Sequence, residues 1–144
     1  MSSEQGGRRQ QVALTKGYRE LVKEAKAAVR AYQPADALAR FGDSDVLFVD
    51  VRDGIELRRT GKIPDAIHAS RGMLEFYLDP KSPYAIDEID PGKELIFYSA
   101  GGSRAALAAQ RAAEMGFPYV IRVEDGFDGW RRAGGPVEPV TVAT

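Results

Sequence analysis

The chain of 144 residues contains no cysteine and one histidine, His68. The first absence excludes disulfides, thiolate zinc sites, iron–sulfur ligation and a cysteine nucleophile; the second excludes a multi-histidine metal site. No cofactor is expected. An excess of one charge is also missing: 20 Lys and Arg stand against 21 Asp and Glu, a formal charge of −1. No broad field exists to hold a polyanion, so nucleic acid is not an expected partner. Apolar runs such as Val46–Val49 and Leu95–Tyr98 stop far short of the roughly 20 residues that span a bilayer. The N-terminus carries no apolar signal core. The expectation is a cytoplasmic protein with no membrane association.

What is present reads as one folded unit. Apolar residues make up 44% and charged residues 28%, and a chain of this length matches one domain of about 100–200 residues. Residues 1–14 are expected to be a mobile tail, because 1–10 are polar and glycine-containing with no apolar periodicity. A single domain is expected over 15–138, opened by an extra helix over 15–28, with a C-terminal tail over 139–144.

The helix rests on Tyr18, Leu21, Val22, Ala25 and Val29, which recur at helical spacing opposite a charged face. Val29–Tyr32 reads as a short strand, and Pro34 opens a second helix through Arg40. Val46–Val51 is a nearly continuous apolar run, the pattern of a strand covered on both faces. Asp53–Thr60 reads as a helix, Ile67–Ala69 as a short strand and Met73–Leu78 as a helix. Lys81–Gly92 reads as a loop. Strand Glu94–Tyr98, helix Ser103–Met115, strand Tyr119–Val123 and helix Gly126–Ala133 follow. Such alternation predicts an α/β fold in three layers: a central, mainly parallel five-stranded sheet with helices on both faces.

In open α/β sheets ligands bind beyond the carboxyl ends of the strands, which selects the turn Ser99-Ala100-Gly101-Gly102-Ser103-Arg104. A glycine-rich turn into a helix N-terminus aims several N–H groups at one point and favours an anion; a purely structural turn is the alternative. Gly101-Gly102-Ser103-Arg104-Ala105 nearly matches a serine nucleophile elbow, but that arrangement needs a histidine downstream, and His68 lies upstream. A Walker loop fails because no Gly-Lys-Ser/Thr is present.

Val49-Asp50-Val51-Arg52-Asp53, Glu56-Leu57 and Gly61-Lys62-Ile63-Pro64-Asp65-Ala66 resemble the N-terminal signature of the rhodanese (thiosulfate sulfurtransferase) family. Lys62 and Asp65 replace its usual histidine and glycine. Val123-Glu124-Asp125-Gly126-Phe127-Asp128-Gly129-Trp130 resembles the second signature. Between them, Ser99 to Arg104 and the following Ala105-Ala106-Leu107-Ala108 are similar to the family's active-site loop, where a cysteine, four residues and an arginine precede a helix of small residues. Arg104 stands at the family's offset, and Ser99 stands at the cysteine. The related phosphatases have a loop one residue longer.

The resemblance implies a site in which a thiolate takes the outer sulfur of thiosulfate as a persulfide and passes it to cyanide or a thiol. It also implies that the N–H groups of Ala100, Gly101, Gly102, Ser103 and Arg104 hold the sulfur anion, that Arg104 supports loop and anion, and that Asp50 and Arg52 brace the loop. Arg71 is a candidate anion contact from the same crevice. Glu56 alone reads as an exposed helix residue, His68 as a packed or loop histidine, and Phe127 and Trp130 as core anchors. Serine forms no persulfide, so the chain is expected to be inactive as written. Two origins fit Ser99, an engineered Cys-to-Ser exchange or a natural loss of the nucleophile. The alternative function is a non-catalytic module that binds a protein partner or a small anion.

Overall fold

The computed structural model describes residues 10–141. Residues 1–9 and 142–144, parts of the two expected tails, lie outside the described residues. In chain order the elements are α1 (Tyr18–Ala28), β1 (Arg30–Tyr32), α2 (Pro34–Ala39), β2 (Val46–Asp50), α3 (Gly54–Thr60) and β3 (Ile67–His68). A short 3₁₀ turn (Arg71–Met73) leads into α4 (Leu74–Leu78), followed by β4 (Glu94–Tyr98), α5 (Ser103–Glu114), β5 (Val120–Val123) and α6 (Gly126–Arg132). The five strands lie in the order β1-β5-β4-β2-β3, and every pairing is parallel. The sheet is therefore more regular than the mainly parallel one expected, and all its strands end on the same side.

α1 starts at Tyr18 rather than Thr15 because Gly17 holds an extended conformation and offers no capping side chain. α3 starts with a reciprocal cap: the Asp53 side chain takes a backbone N–H of the first turn while Glu56 takes the N–H of Asp53. Such a capping box satisfies two N–H groups that the helix cannot pair internally.

Alternation along the strands divides the core between two faces. Val49, Val51, Leu95 and Phe97 meet Leu74 and Leu78 of α4 and the alanines of α5. Phe48, Ile96, Tyr98, Ile121 and Val123 meet Ala37 of α2 and Phe127 and Trp130 of α6. Ala105, Ala106, Ala108, Ala109 and Ala112 are wholly buried, so α5 approaches the sheet and α1 closely. That approach sets the height of the helix start that follows β4.

Trp130 anchors the opposite layer. Its ring lies edge-on to Phe48 and Phe41 at centroid distances of 5.4 and 5.8 Å, and its N–H donates to the Pro136 carbonyl at 2.8 Å. Truncating Trp130 to alanine removes a large buried ring and one hydrogen bond. The expected cost is about 3–5 kcal/mol, read as a lowered urea midpoint with the denaturant slope unchanged.

Candidate functional site

β4 ends at Tyr98, and Ser99 turns inward with only 1% of its surface exposed. The chain then passes Ala100 and Gly101 and enters α5 through Gly102, whose φ of 113° lies in the left-handed region. That turn points the N–H groups of Gly102 and Ala105 at one atom, the Ser99 Oγ, at 3.2 and 3.1 Å. The carbonyls of the same loop face elsewhere: Phe127 donates to the Ser99 carbonyl at 2.8 Å and Asp128 to that of Ala100 at 3.1 Å. The loop thus separates its polarity, with donors converging on the side-chain oxygen and acceptors handed to the start of α6. Among the described residues, no protein acceptor takes the N–H of Gly101, Ser103 or Arg104.

The turn before α6 must come very close for this to work. Gly126 has a φ of 56°, and a β-carbon there would collide with the Ser99 carbonyl oxygen and lie 2.7 Å from that of Ala100. Only glycine fits that approach.

Beneath the loop lies a buried ion pair at the end of β2. The Arg52 guanidinium donates through Nε and Nη2 to the Asp50 carboxylate, the shortest contact being 2.7 Å. Its remaining donors reach the Thr60 hydroxyl and the Gly61 carbonyl, each at 2.8 Å, at the far end of α3. The guanidinium lies 4.3 Å from the Phe127 ring centroid and 5.6 Å from that of Tyr98. One residue therefore connects β2, α3, β4 and α6. Burial works against its charge, but the hydrogen bonds and charge of Asp50 raise its pKa further. Burial and the Asp50 charge likewise push the Tyr98 phenol far above its ordinary range, while its oxygen accepts the Ile63 N–H at 3.1 Å.

Arg104 projects from the first turn of α5 to Glu56 of α3 in a two-pronged pair, both contacts 3.0 Å. This contact spans 48 positions of sequence. Partial burial would raise the Glu56 carboxyl, but the Arg104 hydrogen bond and charge, the Asp53 N–H and the Arg52 charge outweigh it and hold it below the ordinary carboxylate value. Arg71 turns instead to Glu75 one helical turn on, at 3.2 Å, and Glu75 also binds Arg111 of α5 at 3.0 Å. The structure thus brings Ser99 through Arg104, Asp50, Arg52 and Glu56 into one connected assembly, while Arg71 pairs with Glu75 through Nη1. His68 donates through Nε2 to the Arg52 carbonyl at 2.7 Å, the role of a loop histidine. Lys62 is held by the Ala66 carbonyl at 2.9 Å and Glu138 at 3.2 Å.

Sequence reading treated Glu56 as a surface residue and gave no place to Tyr98. The capping spacing from Asp53 was a visible signal for Glu56, since a side chain at that position is already turned toward the helix start. Nothing local marked Tyr98, whose partners come from distant elements. No group of three or more potential metal ligands occurs among the described residues.

The loop lies at the carboxyl end of a strand in a parallel α/β sheet, and comparison assigns the chain to a class. The family model for the rhodanese-like domain matches residues 33–133. The chain belongs to the rhodanese-like family. It is 30% identical over 105 residues to the thiosulfate sulfurtransferase GlpE of Actinobacillus pleuropneumoniae serotype 5b (strain L20), covering 73% of this chain and 89% of that protein. Among solved structures, it is similar to a protein of unknown function from Rhodopseudomonas palustris CGA009, described as a possible tyrosine phosphatase. That match has a TM-score of 0.84 and 45% identity, over 90% of this chain and 99% of that one. It is also similar to the polysulfide-sulfur transferase homodimer of Wolinella succinogenes, with a TM-score of 0.70 and 32% identity over 86% and 88% of the two chains.

Two outcomes follow from the ion pairs. Arg52→Ala leaves Asp50 buried and unpaired, so a loss of about 3–5 kcal/mol is expected from chemical denaturation. For Glu56, a folded pKa below the unfolded one adds stability that is fully present above the ordinary carboxylate value and lost as pH falls through it toward the folded value. Glu56→Gln should flatten that part of the stability–pH curve; an unchanged acid limb would count against the pairing.

Proposed function

We propose that this chain is a rhodanese-like sulfurtransferase domain that binds a small sulfur-containing anion such as thiosulfate at the 99–104 loop, and that Ser99 makes it inactive in persulfide transfer. The observation that carries this reading is the convergence of the Gly102 and Ala105 N–H groups on Ser99 Oγ at 3.2 and 3.1 Å. Two backbone donors beside a helix N-terminus stabilise negative charge at that point. A thiolate there is lowered in pKa and nucleophilic at neutral pH. A hydroxyl in the same place stays protonated, since its partners among the described residues are the two backbone N–H groups and no base.

The roles follow from position. The N–H groups of Ala100, Gly101, Ser103 and Arg104 face the anion, Gly102 and Ala105 hold the nucleophile position, and Arg104 tied to Glu56 fixes the start of α5. Asp50 and Arg52 keep the floor of the loop in place. With cysteine at 99, the thiolate attacks the outer sulfur of thiosulfate, the S–S bond breaks and sulfite leaves with the electron pair. The persulfide then passes that sulfur to cyanide or to another thiol. Names of relatives support sulfur anions as the substrate class: thiosulfate for the Actinobacillus protein and polysulfide for the Wolinella protein.

A second reading is a non-catalytic module that uses the same loop to hold an anion or a protein partner. Ser99 itself favours it, because the loop is complete around an atom that cannot carry sulfur.

One paired experiment separates the readings: thiosulfate–cyanide turnover and intact mass after thiosulfate, for the protein and for Ser99→Cys. The expected result is no turnover from the serine form, and from the cysteine variant both turnover and a mass gain of about 32 Da, one sulfur atom. Turnover by the serine form would overturn the assigned role of Ser99. A folded, silent cysteine variant would favour the non-catalytic module.

A further inference from the structure

A serine hydroxyl donates as well as accepts. The Ser99 oxygen already accepts the N–H groups of Gly102 and Ala105, and among the described residues nothing accepts its own proton. Only 1% of Ser99 is exposed, so bulk water does not serve that proton either. Sulfur transfer through a thiolate makes no use of it.

The backbone around the hydroxyl is turned the same way. In a trans peptide the carbonyl and the next N–H point in opposite directions. The Ser99 and Ala100 carbonyls are taken by Phe127 and Asp128 of α6, and that of Gly102 by Ala106 of α5. The N–H of Gly101 therefore points away from α6, and that of Ser103 away from the body of α5. The Gly102 N–H points at Ser99 Oγ, which turns the Gly101 carbonyl away from it. Both carboxylates of the assembly are engaged, Asp50 by Arg52 and Glu56 by the two prongs of Arg104. The Ser99 proton thus joins the N–H groups of Gly101, Ser103 and Arg104 in a set of donors that neither the loop carbonyls nor these carboxylates face. The exposed Ser103 hydroxyl, at the start of α5, is able to accept as well as donate.

A set of donors discriminates by protonation. Sulfate and thiosulfate carry no proton at neutral pH and accept from every side. Phosphate has the tetrahedral shape of sulfate but keeps at least one proton, and its P–O–H then meets an N–H or O–H, donor against donor. A buried donor without an acceptor is costly, and sites built from such groups reject an analogue of the same shape. We propose that the serine form of the loop is a reversible receptor that selects proton-free sulfur oxyanions over phosphate, with the Ser99 hydroxyl donating to the anion. This selectivity rests on the reading of the 99–104 loop as a sulfur-anion site and adds a role that a thiolate at position 99 does not have.

Calorimetric titration of the full chain with sodium sulfate, thiosulfate and phosphate, at neutral pH and constant ionic strength, tests it. Sulfate and thiosulfate should bind, and phosphate about tenfold more weakly or worse. The amide resonances of Gly101, Ser103 and Arg104 should shift as sulfate is added. Ser99→Cys should weaken sulfate binding about tenfold or more, because a thiolate puts a like charge where the donor was. In Ser103→Ala the gap between sulfate and phosphate should hold or widen; a gap that closes there would overturn the role given to Ser99. Equal affinity for sulfate and phosphate would overturn the proposal, as would sulfate binding that leaves the three amides unmoved or survives Ser99→Cys at full strength. A chain that binds none of these anions would overturn it too, and the mass of Ser99→Cys after thiosulfate then shows separately whether the sulfur-transfer reading stands.

Discussion

The hydrogen-bonded pair of Asp50 and Arg52 is the constraint on which the site end of this domain depends. Both side chains are buried, and each nitrogen of the guanidinium has a partner. A buried charge survives only when its partners replace the water it lost. Here those partners come from β2 and from the close of α3, while the flat face of the guanidinium lies on Phe127 of α6. The position of α6 in turn determines where Gly126 and the first N–H groups of that helix meet the carbonyls of Ser99 and Ala100. The loop is therefore held from below and from the side by contacts that leave the Ser99 Oγ free to accept the Gly102 and Ala105 N–H groups.

A second support closes the loop from above. Arg104 is tied to Glu56, and Glu56 also caps the helix that Arg52 closes at its other end. α3 is thus held at both termini by arginines from different elements. A short helix of seven residues has little stability of its own. Its value is as a bracket that transmits the position of β2 to the first turn of α5.

Much of the layer architecture was legible because the strands that carry it are buried on both faces. Val46–Asp50 and Glu94–Tyr98 are uninterrupted by turn formers, and β4 has the same bounds in sequence reading and structure. Edge strands β1 and β3, of three and two residues, left a weaker signal but were placed within a residue or so. The start of α1 was missed by three residues because periodicity does not register that Gly17 holds an extended backbone. At the site, the loop itself was legible from its glycines and its place after a strand. The Glu56–Arg104 contact was not, since each residue was marked only within its own segment and 48 residues separate them. The pairing of Arg71 with Glu75 follows from their four-residue spacing, a local preference visible in the sequence.

The identity of residue 99 separates architecture from chemistry. A helix N-terminus leaves N–H groups that need acceptors, and Ser99 Oγ takes two of them, from Gly102 and Ala105. An apolar side chain of similar size would leave both donors unpaired in a buried setting, at a cost of about 1–3 kcal/mol for each. A cysteine thiolate accepts the same two bonds, with the longer reach of sulfur. Serine and cysteine are therefore close to equivalent for folding, and the loop around position 99 has no structural reason to change when one replaces the other. They differ in what the accepting atom does next: a thiolate carries a lone pair that attacks a sulfane sulfur, while a hydroxyl spends its lone pairs on the backbone and keeps its proton. A site can lose its nucleophile this way and retain the rest of its geometry, because the bonds that shape the loop are made to an acceptor and not to a nucleophile.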